Sequence, residues 1–576
     1  MMSRIFAALV MCAALTACAI DPPHDLPRAP TLAKGEPPLT DRTAASGLPL
    51  TEAQVNTPLI RADLAIDIDP AAQAIASVAT LVFHTNVGNA IVQFDLDPNL
   101  PISAIALDGV DLPRTAWTNP EGLVTVTLPA PAPAGSDFTL TVHYAGQPHV
   151  AINAPWDGGF VWAKTKDGKP WIATAVEGEG CDLFWPCYDN PLAEMREVTL
   201  HITVPAGLKA PSNGRLLGVD PLSDGRSRWN WRARNVSGYA IALTVGPYEQ
   251  IEATHRSRFG NTIAMDYWYL PGEEAKAQRL FAEFGPTLDF MEANIGPYPF
   301  ADEKLGVVET PHLGMEHQTI NAYGNGYKPA PEGFDWLFAH EFAHEWFGNQ
   351  MTNADWDDMW LHEGFATYMQ PLYAQWRGGD IAYMAWLWKI RQQVANRFPI
   401  VTDTSRTEAQ VGDTSIGPGN DIYYKGALTL HMLRGLIGDR AFFASIRRLV
   451  YGRPDPQPGN FTPRFGATRE FEALVKQESG RDLGWFFDAY LRKAALPDLK
   501  EERAGNMLTL RWIVADNAPF PMPVDVQIGD RTVTLPMTNG GGSVAVPAGA
   551  HVLIDPASKL LRQSDDMDQY RDREAK

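Results

Sequence analysis

Between about residues 50 and 252, apolar and polar positions alternate in short runs, such as Ser77-Val78-Ala79-Thr80-Leu81-Val82-Phe83 and Val198-Thr199-Leu200-His201-Ile202-Thr203-Val204. A period of two buries one face of a strand and leaves the other wet. Gly, Pro and Asn-Gly, as at Asn213-Gly214, punctuate the runs. The pattern predicts an antiparallel β-sandwich or saddle over residues 50–252. From about residue 253 the period turns helical. It predicts one amphipathic helix over 273–294, a strand over 305–309, helices around His340 and Glu363, and more near 380–397, 421–437, 440–451 and 468–492. After Leu496-Pro497 the alternation returns at 507–513, 524–528 and 532–535, a small third sandwich over 496–562 before a polar tail at 563–576. The expected fold class is a multidomain α+β chain: β, then a mostly helical domain with a small mixed sheet (253–495), then β again. No internal repeat is found.

Composition narrows the partners. A chain of 576 residues is long enough for several domains, and 45% hydrophobic with 20% charged residues is ordinary for a soluble globular protein. The formal net charge is −20, with no basic run, which argues against nucleic acid as a partner and against an anionic lipid surface. At the N-terminus, Arg4 precedes an apolar stretch over 5–15, which reads as an export signal too short to span a bilayer. Leu15-Thr16-Ala17-Cys18 resembles the bacterial lipobox. That resemblance implies removal of residues 1–17, lipidation of Cys18 and a membrane anchor; a plain secretory signal cut nearby is the alternative. Ala19, where Asp would retain the protein at the inner membrane, implies the outer membrane, facing the periplasm. Residues 18–49, rich in proline, are expected to form an extended tether. Two further cysteines, Cys181 and Cys187, either pair in that oxidising compartment or stay as buried thiols.

The chemistry concentrates between His340 and Glu363. His340-Glu341-Phe342-Ala343-His344 is an H-E-x-x-H motif, and Glu363 follows His344 by 19 positions. Residues four apart share a helix face, so His340 and His344 can offer two imidazoles to one ion. Two nitrogens and a carboxylate suit a catalytic zinc with a position left for water, and Glu341 beside them can serve as general base. The apolar flanks Trp336-Leu337-Phe338-Ala339 and Trp346-Phe347-Gly348 predict a buried helix, in which such polar side chains need partners.

With its surroundings, this segment resembles the aminopeptidase-N family of zinc metallopeptidases, which includes leukotriene-A hydrolase. Phe347-Gly348-Asn349 and Trp360-Leu361-His362-Glu363-Gly364-Phe365-Ala366 look like the family's flanks and third-ligand motif. Gly314-Met315-Glu316-His317 looks like its G-x-M-E-N exopeptidase motif, and Ser212-Asn213-Gly214 and Val245-Gly246-Pro247-Tyr248 look like its N-terminal sandwich. The resemblance covers about residues 170–495, and more weakly back to residue 50. It implies a thermolysin-like catalytic domain, one zinc ion on His340, His344 and Glu363, and peptide substrates with a free N-terminus. It implies that Glu316 binds the substrate ammonium and that Gly314 and Met315 lie on an exposed strand edge where substrate backbone can pair. Glu177, ten residues before Cys187, matches the second amine-binding position, where epoxide-hydrolysing relatives have glutamine; Glu179 is its neighbouring rival. Tyr423, in Ile422-Tyr423-Tyr424-Lys425-Gly426, matches the catalytic tyrosine, with Tyr424 as rival.

Departures from the pattern matter. His317 stands where asparagine is usual and either adds pH dependence near neutrality or packs. Glu345 stands where glutamine is common. The sequence does not continue into the large helical domain that roofs the site in many relatives, so a more open cleft is expected. The reading that follows is a zinc aminopeptidase. Its alternatives are an endopeptidase with an open site and a catalytically inactive peptide-binding lipoprotein; an epoxide hydrolase is disfavoured by Glu177. No motif sizes a first-residue pocket or marks an oligomer interface.

Overall fold

The computed structural model describes residues 38–328 and 333–564. The export segment, Cys18 and the polar tail beyond residue 564 lie outside the described residues. Among the described residues, no helix is long and apolar enough to cross a membrane.

The N-terminal domain is built on an eight-stranded sheet. Its central strand, Leu59–Asp69, pairs antiparallel with Ala74–His84 and parallel with Glu194–Val204. The parallel ladder departs from the antiparallel expectation. More than a hundred residues separate the two strands, so no hairpin sets their direction. Inward positions such as Leu64, Ile66, Leu81, Phe83, Leu140 and Leu200 are fully buried, each worth about 1.5–3 kcal/mol of apolar transfer. Two three-stranded sheets complete the domain; one of them contains Pro170–Ala175, which leads into Glu177.

The expected tether is shorter than its composition suggests. From Pro38 the chain is packed onto the N-terminal domain. Thr43 and Ser46 are buried, Arg42 Nη2 lies 2.6 Å from Asp95 Oδ1, and Ser46 Oγ donates to Asp189 Oδ1 at 3.0 Å. Residues 38–49 read as a polar linker because their side chains match buried carboxylates, and a carboxylate partner leaves no apolar period in the sequence. Cys181 and Cys187 form a disulfide.

The central domain opens with a five-stranded sheet in the order Glu249–Arg256, Thr262–Tyr269, Leu305–Glu309, Asn321–Tyr323, Gly314–Met315. Its first strand starts ahead of the expected boundary at 252/253. Gly314–Met315 is the edge strand, and its residues are buried rather than exposed because the helix Trp336–Ala343 packs on them. The predicted helix over 273–294 is two helices, Glu274–Phe281 and Phe284–Asn294. Pro286 sits in the first turn of the second, where its missing N–H costs nothing; inside one continuous helix it would clash with the preceding turn. Gly379 (φ 75°) and Gly438 (φ 77°) bend the long helices Trp360–Gln393 and Asp421–Tyr451. Gly480, in the left-handed conformation, ends Thr468–Ser479 before Gly484–Tyr490 begins. The third domain consists of two three-stranded sheets between Asp498 and Ile554.

Candidate active site

The helix Trp336–Ala343 carries the first two site residues. Asp335 starts it: one carboxylate oxygen accepts the N–H groups of Leu337 and Phe338 at 3.0 and 3.1 Å, and the other accepts the Tyr323 hydroxyl at 2.7 Å. One N-cap thus joins the helix to the sheet. Phe338 stacks on Phe284 with ring centroids 4.5 Å apart, which seats the apolar face. His344 is the residue at which the helix ends, still in helical φ/ψ, so the i, i+4 relation to His340 survives. Glu345 accepts Thr319 N–H at 2.8 Å and the Asn321 amide at 2.9 Å, which ties the end of the helix to the strand beside it.

Glu363 arrives on Trp360–Gln393. That helix crosses Asp421–Tyr451 through two glycines: a Cβ added to Gly364 would lie 3.1 Å from Gly426 Cα and 2.9 Å from the Ile422 carbonyl oxygen. The contact brings Glu363 and Tyr423 to the same place. His340 Nε2 and His344 Nε2 are 3.2 Å apart and lie 3.2 and 3.5 Å from Glu363 Oε2. His344 Nδ1 sits 2.8 Å from the Phe347 carbonyl oxygen, an acceptor that holds the proton on Nδ1 and turns the Nε2 lone pair toward the cluster. All three residues are buried. Burial pulls His344 down, but the carboxylates of Glu363 and Glu316 outweigh it and lift it to about 10. Burial raises Glu363, and the two imidazoles outweigh that and hold it well below its usual range. A buried cluster whose electrostatics favour a cation, with donor atoms mutually within 4.8 Å, fits one zinc ion: tetrahedral nitrogen ligands about 2.0–2.1 Å from a metal lie about 3.3 Å from each other.

A second group of acids adjoins the first. Glu316, Glu341 and His344 bring ligand-type atoms within 4.8 Å of one another, and so do Glu177, Glu316 and His362. Glu316 is buried and also lies 3.4 Å from the Tyr239 hydroxyl. Burial and then the Glu316 charge push Glu177 well above the ordinary carboxyl range. Gly314 admits no side chain, because a Cβ there would collide with the Glu341 carboxylate. Tyr423 stacks on His340, with centroids 6.0 Å apart and planes at 27°. Burial raises its phenol, and the charges of Glu363, Glu177, Glu316 and Glu341 add to this; at Tyr424 only Glu363 acts. Of the two tyrosines, Tyr423 faces the acids. Glu179 accepts the Gly158 N–H, which occupies it away from Glu316. His317 is fully buried, and burial brings it down to about 3; of the two roles open to it, packing is the one the structure supports. All these side chains except His317, Tyr239 and His362 line one cleft of about 860 Å³.

Residues 332–490 match the peptidase family M1 domain. Aminopeptidase N of Streptomyces lividans is 26% identical over 334 residues, 54% of this chain and 37% of that protein. Human aminopeptidase N is 25% identical over 363 residues, 58% of this chain and 36% of that protein. An M1 zinc metallopeptidase from Deinococcus radiodurans, crystallised as a mutant bound to the substrate Tyr-Ser-Ala, superposes with a TM-score of 0.63 at 26% identity, over 79% of this chain and 99% of that chain. Over residues 332–490 the chain is similar to the catalytic domain of peptidase family M1. The matches span little more than a third of those two curated relatives' length, but nearly all of the Deinococcus structure.

Around this site, several residues carry no mark in the sequence. Tyr239 and Glu408 lie outside every motif quoted above. His362 sits inside the third-ligand motif, with Nε2 accepting the Asn353 N–H at 2.8 Å. Asp335 alone had a readable signal, as an Asp directly ahead of an apolar helical run.

Proposed function

We propose that this chain is a zinc aminopeptidase that removes single residues from peptides with a free N-terminus. The observation that carries this reading is the pair Glu316–Glu177, which adjoins the metal-type trio and shares the cleft with it. Two carboxylates fixed beside a hydrolytic centre suit a substrate's α-ammonium group and place the first peptide bond over the ligands. A zinc ion held by His340, His344 and Glu363 would polarise the scissile carbonyl and acidify a water. Glu341 takes the proton from that water and passes it to the leaving amine. Tyr423 donates its hydroxyl to the developing oxyanion. The edge strand Gly314–Met315 offers backbone groups to the substrate chain. The Deinococcus relative's bound tripeptide supports the same substrate class.

The test uses residues 19–576 and one peptide in free and N-acetylated forms, with products read by mass spectrometry. Loss of single residues from the free form alone is expected. Cleavage of both forms would make the enzyme an endopeptidase and remove the amine role of Glu316 and Glu177. Stoichiometric zinc without turnover would leave a binding protein.

The same proposal extends to address: an exported lipoprotein anchored through Cys18 in the outer membrane and facing the periplasm, supported by Leu15-Thr16-Ala17-Cys18. Incorporation of labelled palmitate in the wild type, and its loss in Cys18→Ala, is expected; equal labelling of both refutes the anchor.

A further inference from the structure

Among the cleft carboxylates without a task in that reaction, Glu408 sits nearest the amine anchor's neighbour Gly178. Glu408 begins the short helix Glu408–Gly412 and lines the cleft. Its backbone N–H donates to the Ser46 carbonyl at 3.1 Å, so the packed N-terminal segment holds it in place. A Cβ added to Gly178, next to Glu177, would lie 3.7 Å from Glu408 Oε2 and 3.6 Å from the Trp156 carbonyl oxygen. The carboxylate therefore sits beside the amine anchor. A substrate's first side chain leaves the same Cα as its amine, so a long side chain on an anchored residue has Glu408 within the same part of the cleft.

Among the described residues, nothing of opposite charge meets it. The charges acting on Glu408 are those of Glu179 and Glu363, both negative, and no described residue donates a hydrogen bond to its carboxylate. Glu179 differs, since it accepts the Gly158 N–H. The lysine in the lining, Lys389, lies over the Trp386 ring, 5.1 Å from its centroid. Trp156, 62% exposed, also lines the cleft and is an aromatic surface along which a long cationic stem can pack. Two glycines, Gly178 and Gly412, flank Glu408's carboxylate and leave space for a bulky partner.

We propose that Glu408 makes the first-residue subsite select a basic side chain, arginine or lysine. The inference rests on the aminopeptidase reading and names its substrate class. A guanidinium or ammonium group supplies the charge-assisted hydrogen bonds that no described protein group gives the carboxylate. Burial, followed by the charges of Glu179 and Glu363, raises the Glu408 carboxyl to about 8, and a cation beside it offsets both effects.

The zinc-loaded full chain is assayed on short peptides that differ only in their first residue: arginine, citrulline, lysine or norleucine. Citrulline keeps arginine's shape without its charge. The expected kcat/KM ratio is about tenfold or more for arginine over citrulline and for lysine over norleucine, falling to within about twofold in Glu408→Gln and Glu408→Ala. Ratios near one in the wild type, or ratios unchanged in both variants, overturn the proposal while leaving aminopeptidase activity intact. Binding of free L-arginine and L-citrulline to the Glu341→Gln variant, read by calorimetry, separates the two claims. Should no peptide be trimmed from its N-terminus, the aminopeptidase reading fails; tighter arginine binding that is lost on adding Glu408→Gln still supports the subsite, and equal binding of the two amino acids sinks it.

Discussion

At the scale of single residues, the site divides into groups that hold and groups that react. Glu341 holds nothing in the fold: its carboxylate projects toward Gly314 and the cleft. Glu341→Gln is expected to lower kcat at least about a hundredfold while zinc content, measured by atomic absorption, stays at one per chain. Activity above about a tenth of wild type would exclude the general-base role. Tyr423→Phe keeps the ring stacked on His340 and removes only the hydroxyl. A loss in kcat of about a hundredfold, near 3 kcal/mol, with little change in KM is expected; a change confined to KM would make Tyr423 a binding group only. The sequence shows His340, Glu341, His344 and Glu363 because helix geometry converts spacing into proximity. It shows Glu316, Glu177 and Tyr423 only through family resemblance, since each comes from a separate element. Glu408 is invisible in it, because the wall it completes is assembled from residues near 156, 178 and 408 with no local signature.

Two element-level contacts set the site. The first is the glycine crossing of Trp360–Gln393 and Asp421–Tyr451, which fixes Tyr423 relative to Glu363. Gly364→Ala forces the Ile422 carbonyl or the facing helix to move. It is expected to cost about 1–3 kcal/mol of stability and to lower kcat more than it raises KM. An unchanged melting temperature and kcat would show that the helices can part without consequence. The second is the loop from Glu177 to Asn190. The disulfide closes it, and Asp95 and Cys187 exchange backbone hydrogen bonds at 2.8 and 3.0 Å. Replacing both Cys181 and Cys187 with Ser is expected to cost about 2 kcal/mol, the loop-closure value for a short ring. It should also raise KM for free-amine peptides more than it lowers kcat, because the loop delivers Glu177. An unaltered KM would mean that the sheet alone positions the loop. Element types were largely readable from period, and the strand Leu305–Glu309 falls where its apolar run lies. Breaks were not readable where one residue decides them: Pro286 splits a helix whose apolar stripe continues across the break.

Across the whole molecule, the cleft depends on two domains keeping register, since Glu177 belongs to the first and Glu316 to the second. Polar contacts hold that register. Asn213 Nδ2 donates to the Gln318 carbonyl at 2.7 Å, Tyr248 Oη donates to the Glu309 carbonyl at 3.0 Å, and Lys304 Nζ donates to the Ser212 carbonyl at 2.8 Å. Such contacts carry no hydrophobic period, so the interface was not legible in the sequence even where its motifs, Ser212-Asn213-Gly214 and Gly246-Pro247-Tyr248, were. Glu303 belongs to this interface: it is buried, and Oε1 accepts the Arg234 N–H at 2.9 Å. Burial raises its carboxyl from 4.5 to about 7, against the lowering effect of that N–H and the Arg234 charge. The folded chain therefore holds a proton on Glu303 that the unfolded chain releases between those values. The stability it contributes is fully present below about 4.5 and is lost as pH rises through about 7. Denaturant titrations at pH 5 and 7.5, both in chelator so that metal release makes no difference between them, should show the unfolding free energy falling with pH. Glu303→Gln, which keeps the acceptor and cannot ionise, should fall less steeply, by at most about 1.4 kcal/mol per pH unit within the window. Parallel slopes for the two proteins would mean that Glu303 is ionised in the folded state, and that the cations of Arg234, Lys304 and Arg232, rather than a proton, balance its charge at the domain boundary.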